Sequence, residues 1–212
     1  MRIKFPRMRL PLIIFVILVL SLLTSGLIII NSVLTSNLTE DGCIYFKTDL
    51  IEFKFPRNWS AGKWKYENGS KYLFGVSITN IDSSAYICLA FHNEESTREI
   101  MEKYNLANEM EITLFEVKLT YEGLNKSSGQ AVLHFMENGT ITLSFGQAYY
   151  RIIFIENALK RGDISYNFTG MFASVLIKDR LLEIFSYDLK GTWNETRRVL
   201  QIILDSLVVK EE

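Results

Sequence analysis

Ile51-Glu-Phe-Lys-Phe-Pro-Arg-Asn-Trp59 alternates apolar and charged side chains as far as Phe55 and is stopped by Pro56. Period two puts Ile51, Phe53 and Phe55 on one face, the pattern of a half-buried strand, and proline ends it because it offers no ladder donor. The alternation returns downstream. Tyr72, Phe74, Val76 and Ile78, then Ala85, Ile87, Leu89 and Phe91, flank Asn80-Ile-Asp-Ser-Ser84, which predicts a hairpin. Ser96-Thr-Arg-Glu99 has capping-box spacing, hydroxyl and carboxylate satisfying orphan amides, and predicts a short helix through Tyr104. Phe115, Val117, Leu119 and Tyr121 predict another strand. Asn138-Gly139, between Gln130–Met136 and Thr140–Phe145, predicts a tight-turn hairpin. Tyr149–Ile155 reads as a further strand, and Met171–Ile177 and Leu181–Tyr187 as a pair around Lys178-Asp-Arg180. Thr192-Trp-Asn-Glu195 is a second capping box, after which Thr196, Leu200, Ile203 and Leu207 recur at helical spacing. The fold class is α+β, an antiparallel sheet flanked by helices.

The chain has 212 residues, 48% hydrophobic and 22% charged, enough for one well-buried domain and too apolar to be disordered. Its net charge is −1, but Arg2, Lys4, Arg7 and Arg9 precede every acid, so the remainder is acidic, with 19 positive against 24 negative groups. No basic field is present for a phosphate backbone, and a nucleic-acid partner is not expected.

No charged residue lies between Leu10 and Thr39, and Leu12–Ile30 is almost wholly apolar. About 20 apolar residues cover a hydrocarbon core of roughly 30 Å. The expected organisation is a basic cytoplasmic tail at 1–9, a transmembrane signal anchor at 10–34, a linker at 35–44 and an extracytoplasmic domain at 45–212. The basic flank keeps the N-terminus inside by the positive-inside rule. A cleaved signal peptide ending near Thr24, Ser25 and Gly26 is the alternative, and in both cases the domain is exported.

Asn-x-Ser/Thr occurs at Asn37, Asn58, Asn68, Asn125, Asn138, Asn167 and Asn194, seven times among thirteen asparagines, when the Ser and Thr content predicts about two. The excess points to N-glycosylation, with these asparagines on exposed turns and strand ends. Cys43 and Cys88 are the two cysteines. In an oxidising compartment they are expected to form a disulfide, closing a loop worth about 3–4 kcal/mol; two buried thiols are the alternative.

The strand end Phe53-Lys-Phe-Pro-Arg-Asn-Trp59 and the terminal helix running into Leu204-Asp-Ser-Leu-Val208 resemble the PsbP-like family, over roughly residues 45–209. The resemblance implies an α/β/α sandwich in which Phe53, Pro56, Trp59 and Ser206 are fold markers and not a site. It implies no photosynthetic role, since no residues match the metal or docking positions of that branch.

His92 and His134 are the only histidines. His92, near Glu94 and Glu95, reads as a solvated strand-end residue with a weak surface metal site as the alternative, and His134 as a partly exposed strand residue. The sequence lacks a nucleophile elbow, a phosphate-cradling glycine loop and a His-Glu-x-x-His helix. Carboxylate pairs such as Asp163/Glu183 carry little weight among 24 acids. Trp59, Trp64, Tyr66 and Tyr72 read as core and core edge, with a contact surface as the alternative. The expectation is a non-enzymatic, membrane-anchored surface protein, without metal or cofactor, whose domain binds or scaffolds another envelope component; the alternative is an anchored envelope enzyme.

Overall fold

The computed structural model describes residues 42–210. The tail, the span at 10–34, most of the linker and Asn37 lie outside the described residues. Among those residues no helix is long and apolar enough to cross a membrane.

The chain runs β1 (Cys43–Lys47), β2 (Ile51–Pro56), β3 (Trp59–Asn68), β4 (Lys71–Asn80), β5 (Ala85–His92), α1 (Glu94–Tyr104) and α2 (Glu109–Ser128). It continues through β6 (Val132–Leu143), β7 (Gly146–Arg161), β8 (Ile164–Ile177), β9 (Arg180–Asp188), α3 (Trp193–Ser206) and β10 (Val208–Val209). β1 begins at Cys43, so the last two residues of the expected linker are strand. All pairings are antiparallel. β1-β2-β10 form a small sheet, and β3-β4-β5-β9-β8-β7-β6 a large one with β3 and β6 at its edges.

Alternation assigns the two faces of the large sheet. Val76, Ile78, Ile87, Leu89, Ala173, Val175, Leu182 and Ile184 face a core completed by Ile51, Phe53 and Phe55 of β2 and Val199, Leu200 and Ile203 of α3. That side is therefore covered by a helix together with a second sheet, where helices alone were expected. Ser206 joins the layers, its hydroxyl accepting from Lys54 N at 2.9 Å and donating to Ile202 O at 2.7 Å. The opposite face carries α1 and α2, with Thr113 of α2 donating to Ser174 Oγ of β8 at 3.0 Å.

The β4–β5 and β8–β9 hairpins, β2 and α3 stand where the alternation and the helical stripe put them. Residues 115–121 do not: they are helix. Asn108 Oδ1 accepts from Glu111 N at 3.0 Å, Gly129 closes the other end at φ 71°, and Ile112, Val117, Thr120 and Leu124 are buried at helical spacing. Nor do Asn138 and Gly139 turn. They pair with Arg151 and Tyr150 inside one long β6, and the chain reverses after Leu143. Both capping boxes are replaced. α1 starts earlier, capped by Asn93, whose Oδ1 accepts from Ser96 N at 3.0 Å. Ahead of α3 the buried Asp188 accepts from Thr192 N at 2.8 Å and Thr192 Oγ1 at 2.7 Å.

Candidate functional site

The two sheets part at one end, where the β1–β2 turn, the start of β4, the end of β5 and the β8–β9 turn converge. Apolar residues Leu50, Tyr72, Phe91, Phe145, Ile177, Leu181 and Val209 line a cavity there of about 120 Å³, bordered also by His92 and Asn93. That is roughly ten times the 10–15 Å³ that admits one water. Lys178, Arg180 and Lys210 also line it, and among the described residues no carboxylate does. Lys210 is braced from outside, its Nζ 2.6 Å from Glu52 Oε1 and donating to Thr48 O at 2.8 Å. Lys210, Tyr45 and Lys47 together hold the Glu52 carboxyl at a pKa of about 2, so this brace stays charged through the physiological range.

A second polar group lies on the other face of the large sheet, beneath α1 and α2. His92, 2% exposed, places Nε2 3.0 Å from Glu183 Oε2 and Nδ1 3.1 Å from Ser96 Oγ. Beside it, burial and then the charge of Glu183 push the Glu116 carboxyl well above the usual carboxylate range. Glu183 Oε1 is buried and has no hydrogen-bond partner among the described residues unless Glu116 carries a proton. The two facts fit one arrangement, a protonated Glu116 donating to Glu183. Thr97 Oγ1 accepts from Leu181 N at 2.9 Å alongside. This cluster pins α1 and α2 to β5 and β9.

His92 is thus buried, not solvated: after β5 the chain turns straight into α1, which covers the ring. His134 is exposed on β6, 3.3 Å from Glu156. Among the described residues no group of three His, Cys, Asp or Glu side chains is placed to hold a metal ion. Asp163 is exposed in the β7–β8 turn, at the far end of β8 from Ser174, the residue opposite Glu183, so that suggested pair does not meet. The partner of Glu183 is Glu116, which a strand reading of 115–121 conceals.

Cys43 and Cys88 are not joined in a disulfide. Cys43 opens β1 opposite Pro56 in the small sheet, whereas Cys88 lies in the large sheet, between Ser77 and Phe185, on the face turned away from the small sheet. Burial pushes the Cys88 thiol up to about 12, so it is a poor nucleophile. Of the sequon asparagines, Asn58, Asn68, Asn138, Asn167 and Asn194 are exposed. Asn125 is half-buried within α2, its Oδ1 accepting from Ala131 N at 3.2 Å. Trp59 is core, while Trp64 lies flat over Gly75 and donates to Ser77 Oγ at 3.0 Å. Tyr72 alone of the four aromatics lines the cavity.

No family model matches the chain, and no curated protein matches it. Solved structures do. The solution structure of cyanobacterial PsbP, CyanoP, from Synechocystis sp. PCC 6803 is similar over 82% of this chain and 96% of its own, at TM-score 0.50 and 8% identity. LpqN of Mycobacterium tuberculosis, described as involved in cell envelope biogenesis, matches over 80% of this chain and 90% of its own at TM-score 0.36 and 7% identity. PA94 of Pseudomonas aeruginosa, a protein of unknown function described as a putative regulator, matches over 80% and 99% at TM-score 0.35 and 8% identity. At such identities the likeness speaks to architecture only, and through the CyanoP match the described domain has the PsbP-like fold.

Proposed function

We propose that this chain is an exported, membrane-tethered binding protein that holds an envelope component in the cavity between its two sheets. The cavity carries the reading: mostly apolar walls with a few charged groups among them are what ligand binding needs. Catalysis needs a base or a carboxylate pair open to substrate. His92 borders the cavity, but it is 2% exposed and both its ring nitrogens are taken, by Ser96 and Glu183. The tether rests on the uncharged stretch between Leu10 and Thr39 and its basic flank. The sequon excess supports an outside location.

Native mass spectrometry of the full chain, released gently from its own membrane, tests this. The expected spectrum carries a small-molecule increment that disappears on denaturation, over and above any glycan, which survives it. A protein whose native and denatured masses agree would overturn the proposal. An anchored enzyme is the second reading, and the Glu116–Glu183 pair beside His92 is what favours it. It requires that Glu183→Gln abolish a turnover the wild type performs while leaving the cavity ligand bound.

A further inference from the structure

Lys178 stands in the two-residue turn between Ile177 and Arg180, which pair with each other, and its φ is +57°. That left-handed region is strained for any residue with a Cβ and costs glycine nothing. Three other non-glycine residues among those described share it, Ser83, Asn105 and Asn157, all short and polar. Short side chains of this type settle there by bonding their own backbone. Lysine is not a residue of this type. Where a residue is held in a costly backbone state, the side chain is the place to look for the reason. Here the residue lines the cavity, as do Arg180 and Lys210.

The three cations come from three parts of the chain: the β8–β9 turn, the first residue of β9, and the residue after β10. The last is fixed by backbone as well as side chain, Lys210 N donating to Leu50 O at 2.8 Å. Seven apolar residues line the same cavity. Positive groups together with apolar walls describe the complement of a molecule with an anionic head and a short apolar body.

Resting on the reading of the cavity as the binding site, we infer that its ligand is an anionic amphiphile, a carboxylate or phosphate head met by Lys178 and Arg180 with its apolar chain between Tyr72, Phe91, Phe145 and Ile177. Lys178 in the strained turn adds to the positive lining that such a head group needs.

The test uses the full chain in lipid nanodiscs and an octanoate carrying a terminal diazirine, photolysed and mapped by peptide mass spectrometry. Labelling is expected on the peptides holding Tyr72, Phe91, Phe145 and Ile177, displaced by octanoate or octyl phosphate at least tenfold more effectively than by octanol. Lys178→Gly, which suits the turn's backbone, is expected to raise the thermal midpoint while cutting this labelling at least tenfold. If octanol competes as well as octanoate and Lys178→Gly labels normally, recognition of the anion is overturned while the cavity reading stands. If inorganic phosphate alone displaces the probe as well as octanoate, the apolar part of the inference falls. Labelling confined to residues 10–34 would overturn both inference and cavity reading.

Discussion

At Glu116 the fold accepts a side chain whose charge its surroundings disfavour. A carboxyl held above its unfolded pKa binds its proton more tightly in the native state, so its contribution to stability declines as pH rises from the ordinary carboxylate range toward the raised value. Below that range both states are protonated and nothing is lost. Glu116→Gln, which keeps the donor to Glu183 and cannot ionise, is therefore expected to raise the melting temperature at pH 8 and to change it little at pH 4.5. An increase of about 2–4 °C, the response of a domain this size to about 1 kcal/mol, would be seen by calorimetry. Equal effects at both pH values would show that Glu116 is not held above its normal range. Gly75 is constrained differently. A Cβ there would meet the Trp64 ring at 2.1 Å, so Gly75→Ala must push the indole off the sheet and break its bond to Ser77. The expected loss is about 1–3 kcal/mol, read as a lower denaturant midpoint at unchanged slope.

Among the elements, those with one buried face and a tight turn were legible, and the failures have physical causes. In α2 the run Phe115, Val117, Leu119, Tyr121 satisfies period two, but the buried set is Ile112, Thr113, Val117, Thr120 and Leu124. Both periods fit the same residues, and the signal that separates them lies upstream. Asn108 and Glu111 form a capping pair, with Glu111 Oε2 accepting from Ala107 N at 2.7 Å. Asn108→Ala is expected to cost about 0.5–2 kcal/mol. Hydrogen exchange should show the loss concentrated in the first turns of α2, and a uniform change across the sheet would contradict the local role. Asn138-Gly139 misleads because turn chemistry permits a turn without compelling one: the ladder to β7 continues through it. The candidate site was the least legible part. Its residues come from turns and strand ends far apart in sequence, joined only when the two sheets stack.

For the molecule as a whole, the short end motifs did mark the frame. Phe53 is fully buried, Trp59 closes the same core, and Ser206 bonds β2 to the end of α3. What composition and periodicity do not contain is the division of the ten strands among the described residues between two sheets, because pattern alone does not say which strands pair. The large sheet also leaves β3 without a neighbour on its outer side. An open row of amides and carbonyls invites another chain to add to it. Lys63, Lys65 and Glu67 place exposed charge along that row, and the exposed sequon asparagines Asn58 and Asn68 stand just before it and at its last position. Replacing both lysines with threonine is expected to leave the stability within about 0.5 kcal/mol of wild type. The same change should bring on light scattering at concentrations where the wild type stays clear. Unchanged scattering would show that the lysines are not what guards the edge. On the exported chain proposed above, glycans at the two ends of β3 would serve the same end by bulk, so that crowding need not become polymerisation.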